Sequence, residues 1–401
     1  MIAHLDADAF FASVLQRLHP HLKGKALIAS GMGGGCVIAA SYPAKGKGVK
    51  TGMRLRDALA LCPEAVVMPS DFRETGLASQ QIEAILKDVC PLVEETSIDE
   101  WFMDLESLVG GDPLDGEAWA RALQDRVIRS TDIGVSIGVA PTKTLAKMAG
   151  EEHKPRGVTV LRTQAEIEAF LKRRPAAAIP GIGRKREVDV RARGWETAHD
   201  IAYAPDDLLK RLFGSGVVEL AAELRGEQVY AVTIETAPPK SISRARSFYP
   251  TDDSAILWAY ALQHLSYSVL KMRRHGLATK GISIWLRNDT YDGGDDHGLK
   301  LPRAYDTEID LIPFARRCFQ RARRHGRRYT QVNLALWHLV PGGTVQYSLF
   351  TDPTQTDRVG SIQKSLDGLR TRYGKDIVVP GGAVPITENR RPGLVMSTIG
   401  D

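Results

Sequence analysis

A chain of 401 residues is too long for one small domain and predicts two to four folded units. Charged residues make up 25% and hydrophobic ones 43%, which excludes a disordered polymer, and no apolar run is long enough to cross a bilayer. The net charge of +5 is too mild to name a partner, and the four cysteines (Cys36, Cys62, Cys90, Cys318) form no C-x-x-C pair, which excludes a zinc site and a disulfide framework. The first residues are acidic rather than basic and apolar, so no signal peptide is expected; a cytoplasmic protein with no membrane partner is.

In chain order, residues 2–5 read as a short buried strand and 10–18 as a helix. Residues 26–30 and 36–41 are short apolar runs joined by a glycine-rich turn, a hairpin. Helices are predicted over 54–62 and 79–89, the latter with Ile82, Ile85 and Leu86 on one stripe. Strands over 91–96 and 101–105 flank Ser97-Ile-Asp-Glu100, and helix 116–130, strand 133–139 and helix 142–150 follow. Beyond 160 come short helices with glycine turns, the first being Ile179-Pro-Gly-Ile-Gly183. Residues 229–240, with Pro238 and Pro239, read as a linker.

After the linker the order is strand 241–248, helix 253–274 capped by Thr251 or Asp252, strand 281–287, polar loop 288–297, strand 298–305, helix 309–324 and strand 330–339. This is a β-α-β-β-α-β unit, a four-stranded sheet with two helices on one face. Residues 240–341 hold 17 Lys or Arg against 9 Asp or Glu, a net of +8, which leaves −3 for the rest of the chain. A phosphate backbone would want the charge concentrated in this way. Alternatively, Arg316, Arg317, Arg321, Arg323, Arg324, Arg327 and Arg328 only solvate a helix face. Residues 351–401 offer one amphipathic helix near Ile362, Leu366 and Leu369, then a Pro/Gly-rich tail.

Three carboxylates carry the chemical interest. Asp6 ends the first strand, and Asp99 and Glu100 adjoin within an apolar hairpin. Adjacent buried acids repel and resist desolvation, a penalty that a cation relieves. Hard oxygen ligands on neighbouring strand ends suit Mg²⁺, which keeps several waters and accepts phosphate oxygens. Taken singly, each segment has a plainer reading: Asp8 as an N-cap, Asp99-Glu100 as a hairpin turn.

Six segments occur in order: Asp6-Ala-Asp-Ala-Phe-Phe11, Tyr42-Pro-Ala-Lys45, Ser97-Ile-Asp-Glu100, Ser136-Ile-Gly-Val-Ala-Pro-Thr-Lys-Thr-Leu-Ala-Lys147, Lys154-Pro-Arg-Gly157 and Ile179-Pro-Gly-Ile-Gly183. Together they resemble the motif series of the Y-family DNA polymerases, the translesion type, nearest to the DinB kind, over residues 1 to about 350. The resemblance implies an α+β multidomain fold shaped as a right hand. It implies a palm of antiparallel sheet plus helices (1–9 and 70–160), small fingers (10–69) and a helical thumb with a helix-hairpin-helix (161–228). A linker (229–240), a β-α-β-β-α-β little finger (241–341) and a C-terminal segment (342–401) follow. It implies low-fidelity synthesis across damaged DNA by two-metal nucleotidyl transfer from a dNTP, without proofreading.

Carried onto this sequence, the family pattern makes Asp6, Asp99 and Glu100 catalytic and ligands of two Mg²⁺ ions (Mn²⁺ as a substitute), with the backbone carbonyl of Ala7 as a further ligand. It makes Phe11 the steric gate against ribose, and Phe10, Tyr42, Lys45 and Lys154 contacts to the nucleotide. Two departures fall in that pocket. Lys45 stands where the family has Arg, losing the bidentate fork that matches phosphate, and Ala39 stands where it has Thr. Both should weaken nucleotide binding rather than metal chemistry. For primer-template DNA the implied contacts are Gly181 and Gly183 in the thumb turn and Arg244 and Arg246 at the little-finger entry. Gln346-Tyr-Ser-Leu-Phe350 resembles the peptide that binds the sliding clamp, with Leu349 and Phe350 filling an apolar pocket and Gln346 as the polar anchor. The chain is expected to act as a monomer. A catalytically dead binding module would have no need of the three acids. A nucleotide cyclase would have no use for the thumb turn, basic domain or clamp peptide. A dinucleotide enzyme fails because the glycine run 31–35 opens no helix.

Overall fold

The computed structural model describes residues 1–31, 35–113, 115–234, 237–342 and 353–383. The chain divides into two units, Met1–Thr236 and one beginning at Ala237, with the division inside the segment that reads as a linker.

The first unit is built on β1 (Ile2–Ala7), whose six residues are all buried. A small sheet follows: β2 (Leu27–Ser30), β3 (Val37–Ala40) and β4 (Val66–Pro69), in the order β3-β2-β4. The β2–β3 pair is the expected antiparallel hairpin, whereas β4 runs parallel to β2. Sequence periodicity missed β4 because its four residues are half-buried or exposed and show no alternation. Between β3 and β4 a short helix, Tyr42–Gly46, was also missed; Pro43 in its first turn favours the start that Ser41 provides.

The main sheet takes β1 with β5 (Val93–Ser97), β6 (Glu100–Asp104), β7 (Val135–Ala140) and β8 (Val158–Val160), in the order β5-β6-β1-β7-β8. It is not wholly antiparallel, as expected, but mixed. β8 runs parallel to β7, because helix Lys143–Gly150 carries the chain back before it re-enters the sheet. Each face of the sheet has its own core. Ala3, Leu5, Ala7, Trp101 and Met103 pack with Ile82 and Leu86 of helix Phe72–Val89 and Leu123 and Val127 of helix Gly116–Thr131. The alternate residues Ile2 and Phe102 pack with Leu145, Ala146 and Met148 of helix Lys143–Gly150 and with the helices that follow β8. Strand alternation therefore puts His4 and Asp6 on the second face.

Those helices are Gln164–Arg173, Arg184–Arg191, Ala198–Ala202, Asp206–Phe213 and Ser215–Leu224. Thr163 and Thr197 open two of them with reciprocal capping boxes. Glu223, fully buried, ties the bundle to helix Lys143–Gly150 and to the chain that leaves the bundle. Its carboxylate accepts the backbone N–H of Thr144, Val229 and Tyr230 at 3.0, 2.8 and 2.9 Å.

The second unit has β9 (Ser241–Thr251), β10 (Leu277–Asn288), β11 (Gly294–Tyr305) and β12 (Tyr329–Pro341), all antiparallel, in the order β11-β10-β12-β9. Helices Ser254–Arg274 and Glu308–Ala322 pack on one face. The strands run longer than expected. β9 reaches Thr251, so the helix cap moves to Asp253, which accepts the N–H of Ala255 and Ile256. The polar loop shrinks to residues 289–293 because Asp295 is buried in β11. Its carboxylate is satisfied by Arg327 (2.8 and 2.9 Å), Arg324 (2.8 Å) and the Tyr329 hydroxyl (2.9 Å). Two of the arginines expected to face solvent or phosphate therefore serve the fold.

Helix Pro353–Tyr373 reverses the expected amphipathic reading. Ile362 and Leu369 are each 42% exposed, while the polar Gln363 and Arg370 are buried. Arg370 pairs with Glu308 and donates to the Val378 carbonyl, and Gln363 accepts the Glu308 N–H at 2.9 Å. Among the described residues no helix is long and apolar enough to cross a membrane.

Removing one partner of a buried ion pair strands the other charge, at a cost of about 3–5 kcal/mol. Arg370→Ala is therefore expected to detach helix Pro353–Tyr373 from Glu308. Hydrogen exchange should show this helix losing protection while β1 to β8 keep theirs. Unchanged protection in the helix would contradict the role of the pair.

Candidate active site

The antiparallel register of β1 with β6 sets Asp6 directly opposite Glu100, and the Ala7 N–H donates to the Asp99 carbonyl at 2.9 Å. The three acids are thus brought to one end of the sheet from segments over ninety residues apart. Asp99 lies in the β5–β6 turn, where its carboxylate accepts the Ser97 hydroxyl at 2.6 Å. As the side chains stand, no three acidic, histidine or cysteine groups among the described residues cluster closely enough to hold one ion. Lysines meet two of the carboxylates instead. Lys154 Nζ lies 2.5 Å from Asp6, and Lys147 Nζ lies 2.5 and 2.6 Å from the two oxygens of Glu100.

Lys147 comes from helix Lys143–Gly150, which Gly138 lets lie against the sheet. A Cβ at Gly138 would fall 2.0 Å from the Ala146 carbonyl oxygen. Lys143, one turn earlier on the same helix face, reaches Glu94 at 2.5 Å. The motif containing both lysines was legible in the sequence, but their pairing with strand carboxylates was not. The i, i+4 spacing of two lysines opposite an acidic sheet face was the available signal.

The electrostatics express this arrangement. Burial pushes the Asp6 carboxyl up to about 7 in spite of the charge and hydrogen bond of Lys154. Burial also works against ionised Glu100, but the Lys147 hydrogen bond and charge outweigh it and hold Glu100 below the usual carboxylate range. His4, fully buried on the same face, is held neutral, pushed down to about 3 by burial. Its Nε2 lies 4.0 Å from Glu100, and neither ring nitrogen has a hydrogen-bond partner. The end of β1 is a place where negative charge is concentrated and incompletely neutralised, as hard cation donors require.

Around it stand the residues expected to face a nucleotide. Phe11 is half-buried, edge-on to Phe72 at 5.7 Å. Phe10 belongs to the sheet core at 2% exposure and offers the site no more than its backbone. Tyr42 and Lys45 lie on helix Tyr42–Gly46, Lys45 Nζ standing 4.7 Å above the Tyr42 ring. Ala39 is buried in an apolar cluster with Ala12, Leu15 and Leu27. The expectation that Asp8 is an N-cap is corrected: Ala9, in the left-handed region at φ 48°, takes that place without a side-chain cap. The Asp8 carboxylate is buried and points back among the strands.

Of the residues expected at DNA, Gly181 has φ 94°, which favours glycine, and Gly183 opens helix Arg184–Arg191. Arg244 and Arg246 do not lie on the open face of the second sheet. They pair with Leu334 and Val332, whose side chains fill the core under the helices, so they share that face. There they sit over Tyr267 and Tyr260, at 4.3 and 5.7 Å. The open face of β9 presents Ser241, Ser243, Ala245 and Ser247. Gln346, Leu349 and Phe350 lie outside the described residues.

Comparison with known proteins accords with this geometry. Residues 5–151 match the impB/mucB/samB family, and residues 239–349 match its C-terminal domain. The DNA polymerase IV of Caulobacter vibrioides is 32% identical, covering 96% of this chain and 94% of its own. That of Moorella thermoacetica is 31% identical over 93% of each. Among solved structures, a Y-family chimera of Dbh and Dpo4 superposes with a TM-score of 0.73 at 24% identity, over 84% of this chain and 99% of its own, a likeness of fold. DinB from Sulfolobus solfataricus gives 0.55 at 25% identity, over 85% and 99%.

A carboxyl whose pKa rises on folding, from 3.8 to about 7, keeps a proton that the unfolded chain has lost. Its contribution to stability therefore declines as pH climbs from about 4 to 7. With divalent cations chelated, Asp6→Asn should unfold at a higher urea midpoint than the native chain at pH 8. The gain is at most about 4 kcal/mol, reduced by whatever Lys154 loses when its partner carries no charge, and it should vanish towards pH 4. A gap independent of pH would remove burial of charge as its cause.

Proposed function

This chain belongs to the DinB type of the Y family of DNA polymerases, and we propose that Asp6, Asp99 and Glu100 are the carboxylates with which it works. It is a DNA-directed DNA polymerase that carries out translesion synthesis, and it depends on divalent metal as its family does. The observation that carries the residue assignment is the register that sets Asp6 opposite Glu100 with Asp99 bonded at the adjoining turn.

The donor set suits Mg²⁺, with Mn²⁺ as a substitute: Asp6, Asp99 and Glu100 would hold the ions, Glu100 towards the primer, and the Ala7 carbonyl would add a ligand. When bound, the metal lowers the pKa of the primer 3′-hydroxyl and neutralises the triphosphate. The protein's own part is positioning. Lys154, released from Asp6, is free to meet the triphosphate together with Tyr42 and Lys45, and Lys147 keeps Glu100 ionised and oriented. Phe11, braced by Phe72, lies under the sugar and disfavours a ribose. Lys45 in place of arginine and Ala39 in place of threonine weaken the grip on the nucleotide without touching the carboxylates.

In this reading residues 1–9 and 70–160 form the palm, 10–69 the fingers, 161–228 the thumb and 241–341 the little finger. Primer-template DNA is held through backbone contacts that include the Gly181–Gly183 turn. With Arg244 and Arg246 turned to the helix side, they support the little finger at its edge rather than line its open face. The chain acts in the cytoplasm as a monomer, and the sliding clamp binds through residues 346–350.

Primer extension on undamaged and abasic templates tests the central assignment. The native chain should extend both, and Asp99→Ala/Glu100→Ala should lose at least a thousandfold on both while still binding primer-template. Retained extension by the double variant would refute the assignment. For the clamp, Leu349→Ala/Phe350→Ala should abolish the stimulation that added clamp confers and leave clamp-free synthesis as it was. Loss of both together would argue against a docking peptide.

A further inference from the structure

The Asp8 carboxylate is used by nothing in the mechanism above, yet it is 3% exposed and fully engaged. One oxygen accepts the Tyr42 hydroxyl at 3.1 Å and the Ser136 hydroxyl at 2.9 Å. The other accepts the Arg156 N–H at 2.8 Å. The backbone of Asp8 is pinned as well: its N–H donates to the Gly134 carbonyl at 2.8 Å, and its carbonyl accepts the Ser13 hydroxyl at 2.6 Å. Ser136 closes the ring, since its oxygen also accepts the Gly157 N–H at 3.3 Å.

These partners come from three separate pieces of chain. Tyr42 is on the short helix after β3, Ser136 is in β7, and Arg156 and Gly157 follow Lys154 in the turn before β8. Tyr42 and Lys154 are two of the three groups read above as meeting the triphosphate, and they come from segments more than a hundred residues apart. Arg156 holds a left-handed backbone, φ 57°, a conformation that a side-chain-bearing residue keeps only under constraint. The Asp8 bond to its N–H supplies that constraint.

We propose that Asp8 is a positioning residue that holds Tyr42 and the Lys154–Gly157 turn in one register, so that a single buried carboxylate aligns both arms facing the triphosphate. The proposal rests on the nucleotide reading of Tyr42 and Lys154. A buried aspartate that served folding alone would need acceptors satisfied, but would have no reason to couple these two arms. If it couples them, loss of Asp8 and loss of the Tyr42 hydroxyl report one defect rather than two.

The test measures single-nucleotide insertion on primer-template by the full chain and three variants: Asp8→Asn, Tyr42→Phe and the double. Hydrogen exchange at Arg156 and Gly157 is followed in the same proteins. Asparagine keeps an acceptor for Tyr42 or for Arg156, but not for both in the native geometry. Asp8→Asn should raise the KM for dNTP about tenfold with kcat within about twofold, and exchange at Arg156 and Gly157 should quicken at least tenfold. Tyr42→Phe should raise KM a few-fold, and the double variant should be no worse than Asp8→Asn. KM effects that multiply, or an Asp8→Asn protein with native KM, would overturn the proposal. If the native chain inserted no nucleotide, the polymerase reading would fail by itself. The exchange rates would then decide whether Asp8 holds the turn, and unchanged exchange would overturn that too.

Discussion

The pairing of β1 between two antiparallel neighbours is the constraint on which the rest of the first unit depends. A central strand with six buried residues has no freedom to slip, because a shift of one residue would exchange its two faces. With that register held, Ala3, Leu5 and Ala7 enter one core, and His4 and Asp6 must face the other side beside Phe102 and Glu100. The like charges are therefore brought together by hydrophobic packing that has no stake in them. Helix Lys143–Gly150, admitted by Gly138, then lays Lys147 over the end of the strand.

The second unit and the end of β1 treat buried charge in opposite ways. In the second, Asp295 and Glu308 are each closed off by arginine: Arg327 and Arg324 on one, Arg370 on the other. The guanidinium fork matches a carboxylate and leaves little of it free, which suits a permanent joint. At the end of β1 in the first unit, Asp6 and Glu100 meet lysines, single charges on flexible stems. Asp6 is left only partly neutralised, with its pKa far above the ordinary value. A permanent joint wants the first arrangement, whereas the second leaves Asp6 with charge still to be neutralised.

The departures from expectation share a cause. Helix Pro353–Tyr373 has apolar residues at helical spacing, yet it docks by Gln363 and Arg370, because Glu308 at the head of another helix needs a buried partner there. The polar loop expected over 288–297 contracts into strand because Asp295 finds arginines from a loop some thirty residues on. Arg244 and Arg246, at the expected edge of a DNA-facing sheet, turn to the helix side because β9 pairs with the core residues of β12. In each case the side chain's environment is set by a partner remote in sequence: Glu308 for Gln363 and Arg370, the arginines for Asp295, and the tyrosines of helix Ser254–Arg274 for Arg244 and Arg246.

Local pattern was enough to predict most strands and helices, the β-α-β-β-α-β order of the second unit and the three acids that the fold brings to one end of the first sheet, since periodicity, caps and ordered motifs reside in neighbouring residues. β4 escaped because its four residues show no alternation, and the parallel run of β8 because it is set by helix Lys143–Gly150 folding back over the sheet rather than by the strand itself. The role of Asp8 escaped as well: an aspartate before a helix is locally a cap, and only the folded chain supplies Tyr42, Ser136 and Arg156 to it. What a residue is can be read from its neighbours in sequence, whereas the state of its charge depends on neighbours in space, which burial and register alone assign.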